Sequence, residues 1–334
     1  MSNTEQAPTE QTVCTAGTAV TTEPDIELLQ PREVPLGGPR AMLVRRALPN
    51  RDRRMVGAWC FADSYGPTDI AGRAGMQVPP HPHTGLQTVT WLVQGEVWHQ
   101  DSVGSRQLVG PGQLPLMTAG HGIAHSEQSP PEHSSSLFGA QLWVALPERY
   151  RDVAPAFEFH DALPRQEQRD GSVTVLAGAI DGAAAPATTY SPLVGASLTI
   201  DTNGELTVPL EPDFEHAVLA QSPGLSVAGA QIPVGAMLYL GRGRSDVTIA
   251  SETGGQALLL GGEPFTEDLV MWWNFVGRTH DEIVESRAGW ETERDSSIAH
   301  RRFGAVDGYR GATLPAPRLP NARLKARGRY HPHH

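Results

Sequence analysis

The order of apolar and polar residues predicts short strands throughout the middle of the chain. Residues 86–93 are mostly β-branched, aromatic or aliphatic and stop at Gln94 and Gly95, and residues 96–100 resume the pattern before a polar turn. Runs of this length between glycines and prolines are typical of a closed barrel or a sandwich. A second series follows at residues 196–200, 204–210, 216–220, 225–230, 236–241, 245–250 and 256–260.

The two series predict an all-β protein with two consecutive β-barrels. The first barrel spans residues 25–150, a linker rich in proline and alanine spans 151–190, and the second barrel spans 191–300. One short helix is expected near the end of the second barrel. Thr279 and Glu282 form the capping box that begins it, and we interpret it as closing that barrel.

The two ends of the chain carry little to bury, and we expect disordered tails there. Residues 1–24 are rich in Thr, Glu, Ala and Pro, a composition typical of a solvated linker. Residues 301–334 form a basic tail with prolines, ending in His331, His333 and His334. We interpret this tail as an extended arm over the protein surface, and a contact with a nucleic acid or a partner is the alternative.

Charge and composition limit the possible functions. The formal net charge is −11, so we expect no direct binding of nucleic acid by the body of the protein. No apolar run approaches the length of a membrane span, and no signal peptide is visible. Cys14 and Cys60 lie in such different settings that a disulfide is not expected. A cytoplasmic, monomeric protein is the expectation.

Candidate metal ligands occur in two pairs. His81 and His83 form an H-x-H pair flanked by prolines, which exclude the interior of a helix. In an extended strand, residues two apart point to the same face, so both imidazoles can approach one ion. His125 and Glu127 repeat this spacing. Together they predict a site with nitrogen and oxygen ligands that suits iron, manganese, nickel, copper or zinc.

Two further histidines lie near these pairs. His121 is four residues before His125 in a glycine-flanked segment, and we interpret it as a neighbour of the site or a surface residue rather than a ligand. His99 could supply a hydrogen bond to a ligand, or it could be a structural histidine. The second series of strands has no H-x-H pair, and His216 stands alone there. We therefore expect the second barrel to be metal-free.

The residues around the site resemble those of the pirin family. The resemblance rests on HPHTGLQTVTWLVQGEVWHQDS from His81, PGQLPLMTAGHGIAHSE from Pro111, and the upstream strings REVPLGGPRAMLVRRALP and GAWCFADSYGP. It continues downstream through LLLGGEPF and covers roughly residues 30–300. The resemblance implies a bicupin with iron in the N-terminal barrel. The metal ligands of the family fall on His81, His83, His125 and Glu127.

Three positions differ from the usual pattern of pirins. Thr84 replaces an arginine, Gln87 replaces a glutamate, and His121 stands where arginine is usual in the M-T-A-G-x-G string. In many cupins the glutamate equivalent to Gln87 is itself a ligand, whereas pirins take their carboxylate from the H-S-E string. We therefore expect Gln87 to change the polarity beside the site without removing a ligand.

The resemblance implies two functions. One is a dioxygenase of the quercetin 2,3-dioxygenase type acting on flavonol-like substrates, with Glu127 as ligand and general base. The other is a redox-sensitive regulatory protein whose metal controls binding to a protein partner. A metal-bound scaffold with incidental activity is a third interpretation. The expected partners are accordingly a small aromatic substrate or a protein, and the expected cofactor is iron, with zinc, nickel, copper or manganese as substitutes.

Overall fold

The computed structural model describes residues 26–36, 42–294, 296 and 301–325, and the backbone of residues 12–14. In these residues the chain forms 27 strands, one α-helix and one 3₁₀ turn at Glu148–Tyr150. The strands that precede this turn are β1 Thr12–Cys14, β2 Glu27–Leu29, β3 Arg32–Leu36, β4 Met42–Leu48, β5 Trp59–Asp69, β6 Gln77–His83, β7 Leu86–Gln94, β8 Val97–Asp101, β9 Arg106–Val109, β10 Leu114–Thr118, β11 Ile123–Gln128 and β12 Ser136–Ala145.

The remaining elements follow the turn. They are β13 Ala156–His160, β14 Arg165–Gln168, β15 Gly171–Ala177, β16 Ala179–Ile180, β17 Ala183–Ala184, β18 Leu193–Ile200, β19 Gly204–Pro209, β20 Glu215–Ala220, β21 Leu225–Val227, β22 Ala230–Ile232, β23 Met237–Gly241, β24 Asp246–Ser251, β25 Gly255–Gly262, β26 Leu269–Trp272, β27 Phe275–Gly277 and the helix α1 His280–Glu293.

Two antiparallel β-barrels account for most of these strands, which confirms the predicted all-β bicupin fold. In the first barrel a seven-stranded sheet, in the order β13-β10-β7-β12-β5-β4-β3, faces a four-stranded sheet in the order β6-β11-β8-β9. In the second barrel the orders are β14-β15-β18-β25-β20-β23-β2 and β19-β24-β21-β22. The interior of the second barrel is lined mainly by aliphatic side chains such as Val218, Leu259 and Ile249.

The two barrels pack against each other through their seven-stranded sheets. The indole Nε1 of Trp59 on β5 lies 3.0 Å from the carbonyl oxygen of Val194 and 3.2 Å from that of Gly261. Gly195 leaves room for this ring, since a Cβ there would lie 2.8 Å from Trp59 Cζ2. One continuous cluster of buried residues spans the contact. The strands of these sheets are therefore buried on both faces and do not alternate in polarity.

The boundaries between the domains differ from the prediction. Residues 151–190 are not a linker, because β13 pairs with β10 of the first barrel while β14 and β15 belong to the second. Strand β2 pairs with β23, so residues 27–29 extend the sheet of the second barrel rather than the first. The edge strands β2, β13 and β14 are only three to five residues long. They leave no long apolar run in the sequence, which is why composition suggested a linker.

The helix α1 also has a different place from the predicted one. Its N-cap is Thr279, whose hydroxyl accepts the backbone N–H of Glu282, as the capping box predicts. However, its buried residues Ile283 and Trp290 pack with Trp272, Phe275 and Ala124, beside the first barrel. The helix thus covers the hairpin β26–β27 and does not close the second barrel.

Part of the basic tail lies along the first barrel. Phe303 and Leu324 are buried, and the backbone N–H of Leu314 donates to the carbonyl of Pro80 on β6. The part at residues 301–325 is therefore an ordered arm, while the terminal histidines lie outside the described residues. Near the other end, the backbone of β1 pairs with β26. Nowhere in the described chain is a helix both long and apolar enough to cross a membrane.

Candidate metal centre

The candidate ligands lie on two neighbouring strands of the four-stranded sheet. His81 and His83 belong to β6, and His125 and Glu127 belong to β11, with His125 directly opposite His81. Strand β6 contains three prolines, which have no N–H to give to a sheet, and β6 accordingly lies at the edge of this sheet. The prolines thus place the H-x-H pair at an edge, next to β11.

Three imidazoles converge inside the first barrel. Each of His81, His83 and His125 has one ring nitrogen that lies within 4.8 Å of those of the other two. All three residues are at most 1% exposed. The ring centroids are 4.3 Å apart for His81 and His125, and 5.0 Å apart for His83 and His125. Among the described residues, this is the cluster of His, Cys, Asp or Glu whose spacing could hold a metal.

Each of the three imidazoles has at least one ring nitrogen without a hydrogen bond to the described residues. Nε2 of His81, Nε2 of His125 and both ring nitrogens of His83 have no hydrogen-bond partner of standard geometry in the described structure. Nδ1 of His81 lies 2.7 Å from the carbonyl oxygen of Pro79, so this nitrogen carries the proton and Nε2 presents a lone pair. Buried polar atoms without partners are costly. A metal ion is a chemical group that these nitrogens fit.

Burial keeps the three histidines in the neutral form that binds metals. Burial lowers the pKa of His81 to about 4, although the carbonyl of Pro79 opposes this. The pKa values of His83 and His125 lie well below the usual range, first because of burial and then because of the neighbouring imidazoles. The backbone of Asn274, in the hairpin β26–β27, raises the pKa of His83 and so offsets part of the effect of burial. At neutral pH these side chains are therefore uncharged.

Glu127 is buried beside the three histidines but does not form part of their cluster. It is 1% exposed, and its Oε1 accepts a hydrogen bond of 2.7 Å from the hydroxyl of Thr90 on the opposite sheet. The pairing of β6 with β11 shifts register between His125 and Glu127, so that Glu127 lies opposite Val78. The structure thus directs the predicted carboxylate ligand into the barrel, close to Thr90, and its place among the ligands stays a prediction.

A row of aromatic and charged side chains lies next to His83. Its ring is perpendicular to that of Trp143, with centroids 5.1 Å apart, and Trp143 stacks on Phe61 at 3.9 Å. The guanidinium of Arg46 lies over Phe61 and makes two hydrogen bonds, of 2.7 and 2.8 Å, with Asp63. The interior of the first barrel therefore contains a buried ion pair, whereas the interior of the second barrel is mainly aliphatic.

The sequence did not single out several of these neighbours. Thr90 and Gln141 face the interior with Glu127, and the hydroxyl of Thr90 lies 2.9 Å from Gln141 Oε1. The hydroxyl of Tyr65 is buried without a hydrogen-bond partner in the described structure, and burial, with Glu127 as a second cause, raises its pKa well above the usual value. The signal was available in β7, where Thr88 and Thr90 are polar residues at alternate positions of an apolar strand.

The other histidines that the sequence singled out take separate places. His121 is exposed in a turn, which agrees with a surface role. His99 is buried and lies 3.5 Å from His125, measured between their Nδ1 atoms. His216 is buried in the second barrel and does not belong to the cluster of the three candidate ligands. Burial lowers its pKa to about 4.

The positions that differ from the usual pirin pattern have structural partners away from the three imidazoles. Gln87 lies on the face of β7 opposite to Thr90, and its amide donates to Thr118 Oγ1 and to the carbonyl of Thr188. It therefore does not set the polarity beside the histidines, contrary to the prediction. The backbone of Thr84 bridges to β27, since its carbonyl accepts the N–H of Val276.

Comparison with known proteins agrees with this architecture. A protein of Pseudomonas aeruginosa named "Putative quercetin 2,3-dioxygenase" is 46% identical over 289 residues, which cover 86% of this chain and 89% of that protein. A pirin-like protein of Caulobacter vibrioides is 35% identical and covers 75% of this chain and 88% of its own length. A crystal structure of quercetin 2,3-dioxygenase from Acinetobacter baumannii has a TM-score of 0.83 at 40% identity, covering 90% of this chain and 98% of that chain.

The family assignment follows from both barrels. The sequence pattern of the Pirin family matches residues 41–144, and that of the Pirin C-terminal cupin domain matches residues 195–295. The first match contains all four candidate ligands, and the second contains most strands of the second barrel. The chain belongs to the pirin family.

Proposed function

We propose that this protein is a metal-dependent dioxygenase of the quercetin 2,3-dioxygenase type that acts on flavonol-like substrates. The observation that carries the proposal is the convergence of three buried imidazoles. One ring nitrogen of each lies within 4.8 Å of the others, and each imidazole has a ring nitrogen without a hydrogen-bond partner in the described structure. The similarity to the quercetin 2,3-dioxygenase of Acinetobacter baumannii, at 40% identity over nearly the whole of both chains, supports the type of reaction.

His81, His83 and His125 would hold the metal, with Glu127 as the fourth ligand. Neutral imidazole and carboxylate suit iron, manganese, nickel, copper and zinc, and the four proposed ligands include no thiolate that would select zinc. We propose iron as the metal in the cell. Such an ion supplies Lewis acidity toward the 3-hydroxyl oxygen of a flavonol and exchange of electrons with dioxygen.

The side chains of the protein would position the substrate and accept its proton. The carboxylate of Glu127 would be the base for the 3-hydroxyl proton, because it is buried beside the three histidines. The hydroxyl of Thr90 holds Oε1 of Glu127 and so fixes the orientation of this carboxylate. Trp143 and Phe61 form an apolar wall beside His83 that excludes water and suits an aromatic ring.

Oxygen uptake tests this proposal directly. Metal-free protein is reconstituted anaerobically with Fe²⁺, quercetin is added, and dioxygen consumption and loss of flavonol absorbance are recorded together. We expect one dioxygen consumed per flavonol, no turnover in His83→Ala, and normal turnover in the control His216→Leu, which changes a histidine of the other barrel. The proposal fails if uptake does not exceed that of His83→Ala with iron, manganese, nickel or copper.

A further inference from the structure

A hydrogen-bonded chain of three side chains ends on one of the candidate ligands. Nε2 of His99 lies 3.0 Å from Oδ2 of Asp101, and Nδ1 of His99 lies 3.5 Å from Nδ1 of His125. All three side chains are at most 4% exposed. His99 and Asp101 belong to β8, the neighbour of β11 on the side away from β6. His99 and Asp101 therefore approach His125 from the side of β8, whereas His81 approaches it from the side of β6.

The hydrogen bonds define which nitrogen of each ring carries a proton. Oδ1 of Asp101 accepts the backbone N–H groups of Val103 and Ser105, at 3.0 and 2.9 Å, so the carboxylate is held as an acceptor. Nε2 of His99 must then donate to Oδ2, which leaves Nδ1 of a neutral His99 as an acceptor. His125 consequently donates from Nδ1, and its Nε2 is left with a lone pair.

This assignment agrees with two independent observations. Nε2 of His125 is the ring nitrogen without a hydrogen-bond partner, and His81 presents Nε2 in the same way through its bond to Pro79. The ring of His99 is itself held in place, since Phe157 stacks on it with centroids 4.4 Å apart and planes inclined by 14°. Because Phe157 lies on β13, the seven-stranded sheet helps to orient this ring.

We propose that Asp101 and His99 are positioning residues for the metal. They fix the tautomer of His125 that presents Nε2, and the carboxylate at the end of the chain makes this nitrogen a stronger electron donor. The two side chains thereby raise the affinity of the site for a divalent metal and favour the oxidised state of a metal that can change valence. This inference rests on the metal site of the proposed function but not on the dioxygenase reaction.

Three substitutions separate this role from simple packing. Asp101→Asn keeps the shape of the side chain. Its amide oxygen must stay toward the two backbone N–H groups, so its NH₂ group faces Nε2 of His99. That nitrogen must then accept a hydrogen bond, which reverses the tautomer of His99. His99→Phe retains a ring against Phe157 and removes the acceptor for His125. His99→Asn places an amide oxygen near the position of Nδ1 and restores that acceptor. His216→Leu is the matched control, since it changes a buried histidine of the second barrel.

The affinity for Ni²⁺ is the first measurement, made in competition with a chromophoric chelator. Every protein compared is metal-free and full-length, with His331, His333 and His334 replaced by glutamine so that the terminal histidines bind no ion. We expect His99→Phe and Asp101→Asn to weaken Ni²⁺ binding about 10- to 100-fold, the range for groups that orient metal ligands. His99→Asn should remain within a few-fold of wild type, and His216→Leu should not differ from it. The double variant of His99→Phe and Asp101→Asn should bind no more weakly than His99→Phe alone, because the two residues act as one unit.

The reduction potential of the iron-loaded protein is the second measurement. We expect a more positive potential in His99→Phe, because a less electron-rich His125 stabilises ferric iron less. The proposal is overturned if His99→Phe and Asp101→Asn bind Ni²⁺ like wild type at an unchanged potential, even if both variants melt at lower temperature. Failure of wild type to bind Ni²⁺ would overturn it together with the metal site. Tight binding without flavonol turnover would instead refute only the dioxygenase reaction.

Discussion

The hydroxyl of Thr90 donates to Oε1 of Glu127 at 2.7 Å and thereby links the two sheets of the first barrel. Thr90 lies on β7 of the seven-stranded sheet, and Glu127 lies on β11 of the four-stranded sheet. Both side chains are buried, at 5% and 1% exposure. The bond thus holds the only carboxylate among the four predicted ligands at a fixed place inside the barrel.

Replacing Thr90 by valine should destabilise the protein and disturb Glu127. Valine has nearly the same shape but leaves the buried carboxylate without this donor, and hydrogen bonds to charged groups contribute about 1.5–3 kcal/mol. We expect the free energy of unfolding of the metal-free protein, measured with urea, to fall by about this amount. The pKa of Glu127 should also rise relative to wild type, since the lost bond favoured the charged form.

Thr90→Ser is the control for this prediction. It retains the hydroxyl and removes only a methyl group, so its free energy of unfolding should lie closer to that of wild type than to that of Thr90→Val. Equal stability of the serine and valine variants would show that the bond to Glu127 contributes nothing.

The contact between the barrels predicts opposite effects for two glycine substitutions. Gly195→Ala places a Cβ 2.8 Å from Cζ2 of the fully buried Trp59, and overpacking of this kind costs about 1–3 kcal/mol. Gly289→Ala on α1 meets Phe303 at 3.6 Å, an ordinary contact, and alanine is favoured over glycine in a helix by about 0.5–1 kcal/mol. Thermal unfolding should show a lower midpoint for the first variant and a higher one for the second. A Gly195→Ala protein as stable as wild type would contradict the close packing of Trp59.

The buried histidine of the second barrel should make stability depend on pH. Burial lowers the pKa of His216 to about 4, whereas an unfolded chain titrates near its usual value of about 6.5. Between these pH values the unfolded chain binds more protons, so the stability is complete above about pH 6.5 and falls as the pH decreases toward 4. A shift of this size corresponds to at most about 3–4 kcal/mol.

His216→Leu should remove this contribution. In urea unfolding of metal-free protein, we expect the loss of stability from pH 7 to pH 4 to be smaller in the variant than in wild type. An identical pH dependence in His216→Leu and wild type would refute the assigned cause.

Much of the fold follows from local patterns in the sequence. Runs of β-branched residues between glycines predicted the strands of both barrels, and the pair of Thr279 and Glu282 predicted where α1 begins. The partners of short edge strands could not be predicted in this way. Strand β2 has three residues and joins a sheet whose other strands lie more than a hundred residues away. Such pairing depends on the arrangement of the barrels and not on the composition of the strand.

The candidate site could likewise be predicted only in part from local patterns in the sequence. The period of two in a strand was sufficient to bring His81, His83 and His125 together, because β6 and β11 are neighbours. The side chains from other strands were not predicted, since Thr90, Arg46 and Asp101 are unremarkable in sequence and gain their roles from the closure of the barrel. For Gln87 the family pattern suggested a place near the metal, but its side chain lies on the other face of β7.

The metal content of histidine variants tests the central claim most directly. The background is a chain in which His331, His333 and His334 are replaced by glutamine, so that the terminal histidines bind no ion. Elemental analysis after reconstitution with Fe²⁺ and gel filtration should give one metal per chain for this protein and for its His216→Leu variant. It should give almost none for His81→Ala, His83→Ala and His125→Ala. Equal metal in the parent and in these three variants would contradict the assignment of the site.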